Sequence, residues 1–284
     1  MTGALYVVAT PLGNLGDISL RAVETLRTAN LIAAEDTRHS RHLLQAHGIT
    51  TKLLAVHEHN EAGAAPRILE RLAAGEKVAL ITDAGTPCIS DPGSRLVAAV
   101  QAAGFPVIPL PGPNAAIAAL SASGLDVPHF YFHGFLPPKP AARRHAIEAL
   151  KAFPCVLVFY EAPHRVEETV ADLAATLEPS RELVLARELT KLFETIARMP
   201  LAEAPAWIKA DPNRSRGEFV LIVSAPPAAE GLPAEAERVL NLLLNEGLPV
   251  KQAVKLATDI TGAAKNALYQ RALELAKEAE TGPP

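Results

Sequence analysis

Cysteine is scarce: Cys88 and Cys155 are the only two in 284 residues, too few and too far apart for a disulfide scaffold or a CxxC zinc site. They read as free thiols in a reducing compartment. An excess of one charge is also missing, since 27 Lys and Arg face 31 Asp and Glu for a net charge of −4. No global positive field therefore draws the chain onto nucleic acid or an anionic membrane, and an RNA partner must be met by a local patch. Long apolar runs are absent from the start of the sequence. The first, Ala4 to Ala9, is shorter than a bilayer span or a signal-peptide core, and no basic stretch precedes it. The expected location is the cytoplasm. Aromatics make up 5%, but 49% apolar and 20% charged residues place the chain among globular proteins. At about 150 residues per domain, its length suggests roughly two domains.

Short runs rich in Val, Ile and Leu alternate with segments of helical periodicity. Leu5 to Ala9, Leu31 to Ala34, Val78 to Thr82 and Val107 to Leu110 read as strands, with Leu20 to Leu26, Ile68 to Ala73 and Leu96 to Ala102 as helices between them. This rhythm predicts βα units on a largely parallel sheet, hence an α/β fold. It breaks at Ser121 to Val127 and resumes near Phe130: Val156 to Tyr160, Leu183 to Ala186 and Phe219 to Val223 read as strands, and His164 to Leu177 and Leu201 to Lys209 as helices. Domains are therefore expected at 1–122 and 123–225. Pro226, Pro227, Gly231 and Pro233 then mark a linker, so 226–284 should be a linker plus a small helical appendix whose spacing is compatible with a helix-turn-helix. Its charges nearly cancel, which leaves packing, dimerisation and RNA contact all open as its role.

In open parallel sheets, ligands bind beyond the carboxyl ends of the strands, so the loops there carry the functional reading. Thr10 to Asp17 follows the first strand without GxGxxG spacing or a P-loop lysine, and reads as a tight turn with Asp17 or Ser19 capping the next helix. The loop Asp83 to Ser94 gathers two Asp, two Pro and two Gly at a strand end. That density of restricted residues exceeds what a structural loop needs. Leu110 to Ala116 fits either a Pro-Gly turn with Asn114 as N-cap or a close backbone approach to a flat ligand. His57 with His59, and His39 with His42, invite a metal reading. No cysteine or His-Glu-x-x-His helix supports it, so no metal is expected.

Thr82 to Gly93, Pro111 to Asn114, Tyr160 to Arg165 and Ala186 to Lys191 together resemble the tetrapyrrole-methylase-like class of S-adenosylmethionine-dependent methyltransferases, in its branch acting on small-subunit ribosomal RNA. The resemblance spans about residues 4 to 225, and the helical appendix resembles that branch more weakly. It departs from the tetrapyrrole enzymes where their Gly-Asp-Pro stands here as Gly85-Thr86-Pro87. What it implies is two α/β domains of tetrapyrrole-methylase type, S-adenosylmethionine in the interdomain cleft, and 2′-O-methylation of a cytidine ribose in 16S rRNA by a homodimer. Methylation of a small tetrapyrrole-like substrate, or a non-catalytic ribosome-binding role, are the alternatives.

Under this resemblance the first domain would hold the donor through Leu12, Asp83, Gly85, Thr86, Pro87 and Ile89, with Asn114 and Ala115. The second would add Tyr160, Ala162 and Leu189. Methyl transfer to a ribose hydroxyl needs an oriented alcohol and a base or cation that acidifies it. Lys191, as an electrostatic group or a desolvated base, Glu188, Glu161 and Arg165 are the candidates, with structural ion pairs as the competing role for Glu161 and Arg165. For RNA, Arg38, His57 and Asn60 sit on the expected cleft rim, and Lys139, Arg143, Arg144, Arg214 and Arg216 suit a phosphate track. The nearby Phe130, Tyr131, Phe132 and Phe135 read as core strand residues.

Overall fold

The computed structural model describes residues 3–227 and 232–281, with side chains up to Leu275 apart from Ala234. The chain divides into two compact units, Met1–Ala225 and Pro226–Pro284.

The first unit carries two five-stranded sheets. One holds β1 (Ala4–Val8), β2 (Leu31–Ala34), β3 (Leu53–Ala55), β4 (Lys77–Ile81) and β5 (Val107–Leu110), in the order β3-β2-β4-β1-β5. Every pairing in it is parallel. Helices α1 (Leu20–Thr28), α2 (Thr37–Ala46), α3 (Glu61–Ala73) and α4 (Ser94–Ala102) connect its strands. Burial on both faces explains why β2 and β4 are nearly unbroken apolar runs: Ile32 and Ala79 face one core cluster, Leu31 and Val78 the other. Side chains start two of these helices, Ser19 accepting from the Ala22 N–H and Asp36 from the Arg38 N–H. Because all the strands run the same way, the loops after β1, β2, β4 and β5 gather at one edge.

The second sheet comprises β6 (Phe130–Phe135), β7 (Val156–Glu161), β8 (Glu182–Arg187), β9 (Thr195–Pro200) and β10 (Phe219–Val223), in the order β6-β7-β10-β8-β9. The expectation of largely parallel pairing fails here: β6 runs parallel to β7, and every other pair is antiparallel. The hairpin β8-β9 needs no crossover helix, so the βα rhythm stops. β6 is an edge strand, which leaves Phe130, Tyr131 and Phe135 exposed and corrects their reading as core residues. Helix α5 (Ala115–Ser121), which sequence spacing puts in the first domain, packs Ala116 and Ala119 on Val156, Val158 and Val184 of this second sheet. Helices α6 (Pro140–Leu150), α7 (Val166–Thr176) and α8 (Ala204–Lys209) cover the other face around Leu157, Phe159 and Leu185.

In the second unit α9 (Ala234–Asn245), α10 (Val250–Thr261) and α11 (Lys265–Thr281) enclose their own core of Leu240, Val254, Ala257 and Leu268. Gly262, at φ +71°, terminates α10 in the left-handed conformation. Gly231 of the expected linker lies outside the described residues. Among the described residues, no helix is long and apolar enough to cross a membrane.

Candidate functional site

A cavity of about 390 Å³ opens where the loops of the first sheet face the second. Such a volume suits a small organic ligand. Leu12, Asp83, Thr86, Ile89, Asn114 and Ala115 line it from one side, and Tyr160, Ala162 and Leu189 from the other. These are nine of the eleven positions expected for the donor. Gly85 and Pro87 do not line it. Gly85 exchanges both backbone hydrogen bonds with Thr10, at 2.8 and 3.0 Å, and its φ of +86° turns the chain behind the wall. The glycine therefore ties the loop after β4 to the loop after β1, a brace instead of a contact surface.

The loop Asp83 to Ser94 is unusually constrained, with Gly85, Cys88, Ser90 and Gly93 all at positive φ. Non-glycine residues in that region are strained, and strain of this kind concentrates at sites whose geometry is over-determined. Thr86 closes the loop by donating its hydroxyl to the Pro113 carbonyl at 2.9 Å. Asn114 uses its side chain to accept from the Ile117 N–H, and Tyr160 accepts the Ala116 N–H on its phenolic oxygen at 3.2 Å. Both residues thus fix the start of α5 while facing the cavity.

Three carboxylates meet at this wall. Glu35 accepts the Thr82 hydroxyl at 2.5 Å, and Asp83 accepts the Asp36 N–H at 3.2 Å. Burial, followed by the charge of Glu35, pushes Asp91 up to about 7; a Thr82 hydrogen bond lowers it, and the charge of Asp83 raises it by less than that. Burial also raises Asp83, although the Asp36 hydrogen bond opposes it. A carboxyl poised near neutrality in a cleft is suited to accept a proton. Neither Glu35 nor Asp91 is among the donor-binding or catalytic residues expected from the sequence, although the Asp91-Pro92-Gly93 turn inside the restricted loop is an available signal. Glu218 and Ser90 also line the cavity and were missed.

The groups expected to do the chemistry are committed elsewhere. Glu161, 2% exposed, accepts from the Thr169 hydroxyl at 2.6 Å and the Ala162 N–H at 2.8 Å, and lies 3.3 Å from Arg165 Nε. Arg165 spends Nη2 on the Leu136 carbonyl at 2.6 Å. The pair is a structural anchor at the floor of the cleft. Lys191 Nζ is held by Glu188 at 2.9 Å and Glu218 at 2.8 Å. Burial disfavours its charge, but those two hydrogen bonds outweigh burial and hold the ammonium above the ordinary lysine value. It is a cation, and its reading as a desolvated base is corrected. Glu188, at φ +51°, is held below the usual carboxylate value because bonds from Lys191 and the Glu218 N–H overcome its burial. A depressed carboxylate is a poor base.

Of the residues expected to meet RNA, Arg143 is 2% exposed and is bound by Asp172 at 2.6 Å and Glu168 at 3.0 Å, which removes it from any surface track. Arg214 stacks 4.2 Å above the Trp207 ring and donates to the Trp207 carbonyl. Asn60 spends its amide on Ala55 O and the His57 N–H, so it shapes its own loop. Arg38, Lys139, Arg144 and Arg216 are exposed, Arg38 bridging to Asp36 and Arg144 to Asp172. His57 is half-buried, its ring 6.1 Å from that of His59.

With this geometry in view, known proteins give a consistent picture. The family model described as Tetrapyrrole (Corrin/Porphyrin) Methylases matches residues 4–205, and the RsmI C-terminal HTH domain model matches 230–276. The chain is 55% identical over 275 residues to "Ribosomal RNA small subunit methyltransferase I" of Pseudomonas aeruginosa, covering 96% of this chain and 97% of that one. It is 53% identical over 273 residues to the protein of that name from Escherichia coli O157:H7, covering 96% and 95%. Among solved structures, the methyltransferase CobJ superposes with a TM-score of 0.59 at 20% identity, over 82% of this chain and 96% of that one. Uroporphyrin-III C-methyl transferase from Thermus thermophilus, complexed with S-adenosylhomocysteine, gives 0.56 at 18% identity, over 78% and 97%. Those two likenesses concern the fold.

Proposed function

The chain belongs to the ribosomal RNA small subunit methyltransferase I family, within the tetrapyrrole methylases, and from that premise we propose that it methylates the 2′-hydroxyl of a cytidine in 16S rRNA, using S-adenosylmethionine. The observation that carries the reading is one cavity that joins apolar walls to a cluster of carboxylates at parallel strand ends. Leu12, Ile89, Ala115 and Leu189 offer the surface an adenosine needs, and Asp83 with Glu35 offers negative charge to a cationic donor. The donor supplies an electrophilic methyl group on sulfur, which leaves as a neutral thioether.

The protein's share is to orient the alcohol and take its proton. Asp91 is suited to take the proton. It forms no ion pair among the described residues and is raised toward neutrality, so it accepts the hydroxyl proton as the oxygen–carbon bond forms. Lys191 holds Glu188 and Glu218 together at the opposite wall and so positions Leu189 against the donor site. Exposed Lys139, Arg144, Arg216 and Arg38 supply the local positive surface that the balanced net charge otherwise lacks. The protein would work in the cytoplasm as a homodimer, for which Leu192 and Phe193, 90% and 66% exposed just beyond Leu189, offer apolar surface. Incubation with tritiated donor and small subunits lacking the modification, followed by mapping of the labelled nucleotide, tests the proposal. Label on a cytidine ribose is expected; label on a base, or none, would refute it.

A further inference from the structure

A second cavity, of about 310 Å³, adjoins the first at Ser90 and Asp91, which line both. Its remaining wall is polar, formed by Glu58, Glu61, Ser94 and Arg95 with Pro92. Glu61 is buried and occupied: its Oε1 accepts the Leu96 N–H at 2.7 Å and so caps α4. Glu58 and Arg95 differ from it. Both are exposed, and among the described residues neither makes an ion pair or a side-chain hydrogen bond. The turn that presents Glu58 is nevertheless fixed, because Asn60 clamps it by accepting the His57 N–H at 2.9 Å and donating to Ala55 O at 3.1 Å. Arg95 stands in the first turn of α4, directly after the restricted loop.

We propose that this second cavity receives the nucleobase of the acceptor nucleotide, with Glu58 and Arg95 reading the edge that identifies cytosine. The inference rests on the methyltransferase reading above and deepens it. Cytosine presents an amino donor at N4 beside acceptors at N3 and O2. A carboxylate accepts from the first and a guanidinium donates to the others. Uracil presents an acceptor at O4, which would face the Glu58 carboxylate without a proton between them. A site built around a required hydrogen bond rejects the partner that lacks it, because its own polar group is left unpaired. The sharing of Asp91 by both cavities is what the chemistry requires: a base in the second places its ribose at the junction, beside the carboxylate that takes the proton and the wall that holds the donor. Sequence-specific RNA recognition ordinarily uses splayed bases read on this edge.

The test compares methyl transfer into small subunits carrying cytidine or uridine at the labelled position, for the wild type, Glu58→Gln and Arg95→Gln. Donor affinity, measured by calorimetry with S-adenosylmethionine, serves as the control for folding. Wild type should prefer cytidine. Glu58→Gln, whose amide can donate to uracil O4, should lower the cytidine-to-uridine ratio of kcat/KM by about tenfold or more at unchanged donor affinity. Arg95→Gln should raise KM on cytidine substrates by about tenfold. An unchanged ratio in Glu58→Gln, or equal loss on both substrates, would overturn the base-reading role while leaving the methyltransferase reading intact. Absence of label with wild type on both substrates would refute the parent reading, and this one with it.

Discussion

Lys191 donates through Nζ to Glu218 Oε2 at 2.8 Å, linking the turn after β8 to the start of β10. Its stem also fills the space over Gly13, where an added Cβ would lie 2.3 Å from Lys191 Cγ. The lysine therefore spans the two sides of the cleft, with its charge neutralised by paired carboxylates.

That placement makes Lys191 a positioning residue. Lys191→Ala should weaken donor binding by about 3- to 10-fold, the scale of losing a partly exposed charge-assisted bond, while kcat falls less than about tenfold. Calorimetry alongside single-turnover rates separates the two. A hundredfold fall in kcat at unchanged donor affinity would return the lysine to the chemistry.

Glu161 is expected to act on stability. Removing its carboxylate leaves the Arg165 guanidinium without its counter-ion and the Thr169 hydroxyl without its acceptor, so Glu161→Ala should cost about 3 kcal/mol in denaturant unfolding. Donor affinity of the protein that remains folded should stay near wild type. A variant as stable as wild type would contradict the anchoring role.

The basic residues divide in the same way. Arg143→Ala should destabilise the second sheet's helical layer, through Glu168 and Asp172, without changing the salt dependence of RNA binding. Neutralising Lys139, Arg144 and Arg216 together should flatten that dependence by up to about 2 to 3 in the log–log slope. Equal slopes for wild type and the triple variant would move the RNA surface elsewhere.

The parallel half of the fold was legible where a strand buried on both faces reads as an unbroken apolar run, as Leu31–Ala34 does; it matches to the residue, as does the half-buried edge strand Val107–Leu110. The short β3 and the edge strand β9, whose Thr195–Pro200 sets polar Thr195 and Arg198 three apart and ends in proline, carry too little period-two or continuous apolar pattern to stand out. Restricted residues in the loop Asp83 to Ser94 located the donor wall, since backbone constraint is written in Gly and Pro. What the sequence could not reveal was which ionisable groups are already paired. Glu161, Lys191 and Arg143 looked available because their partners Thr169, Glu218 and Asp172 lie at other points along the chain. Asp91 was passed over because its raised proton affinity comes from burial beside Glu35, distant in sequence.

Asp91 also makes a prediction about stability. Its folded-state value, about 7, lies above the ordinary 3.8, so the native state holds a proton that the unfolded chain releases as pH rises through that window. Stability should therefore fall between about pH 4 and pH 7. Asp91→Asn, which cannot ionise, should be more stable than wild type at pH 8, by on the order of 1 kcal/mol after allowance for solvent screening, and equal to it near pH 4. Thermal unfolding at the two pH values checks this, and a variant that is less stable at pH 8 would contradict it.

Methyl transfer by Asp91→Asn tests most directly whether Asp91 takes the hydroxyl proton, the step on which the proposed chemistry turns. With tritiated donor and unmodified small subunits, wild-type kcat/KM should rise with pH through about 7, and Asp91→Asn should transfer methyl at least about 100-fold more slowly, without that rise and with donor affinity within a few-fold of wild type. Transfer by Asp91→Asn at the wild-type rate and with the wild-type pH profile would contradict that role.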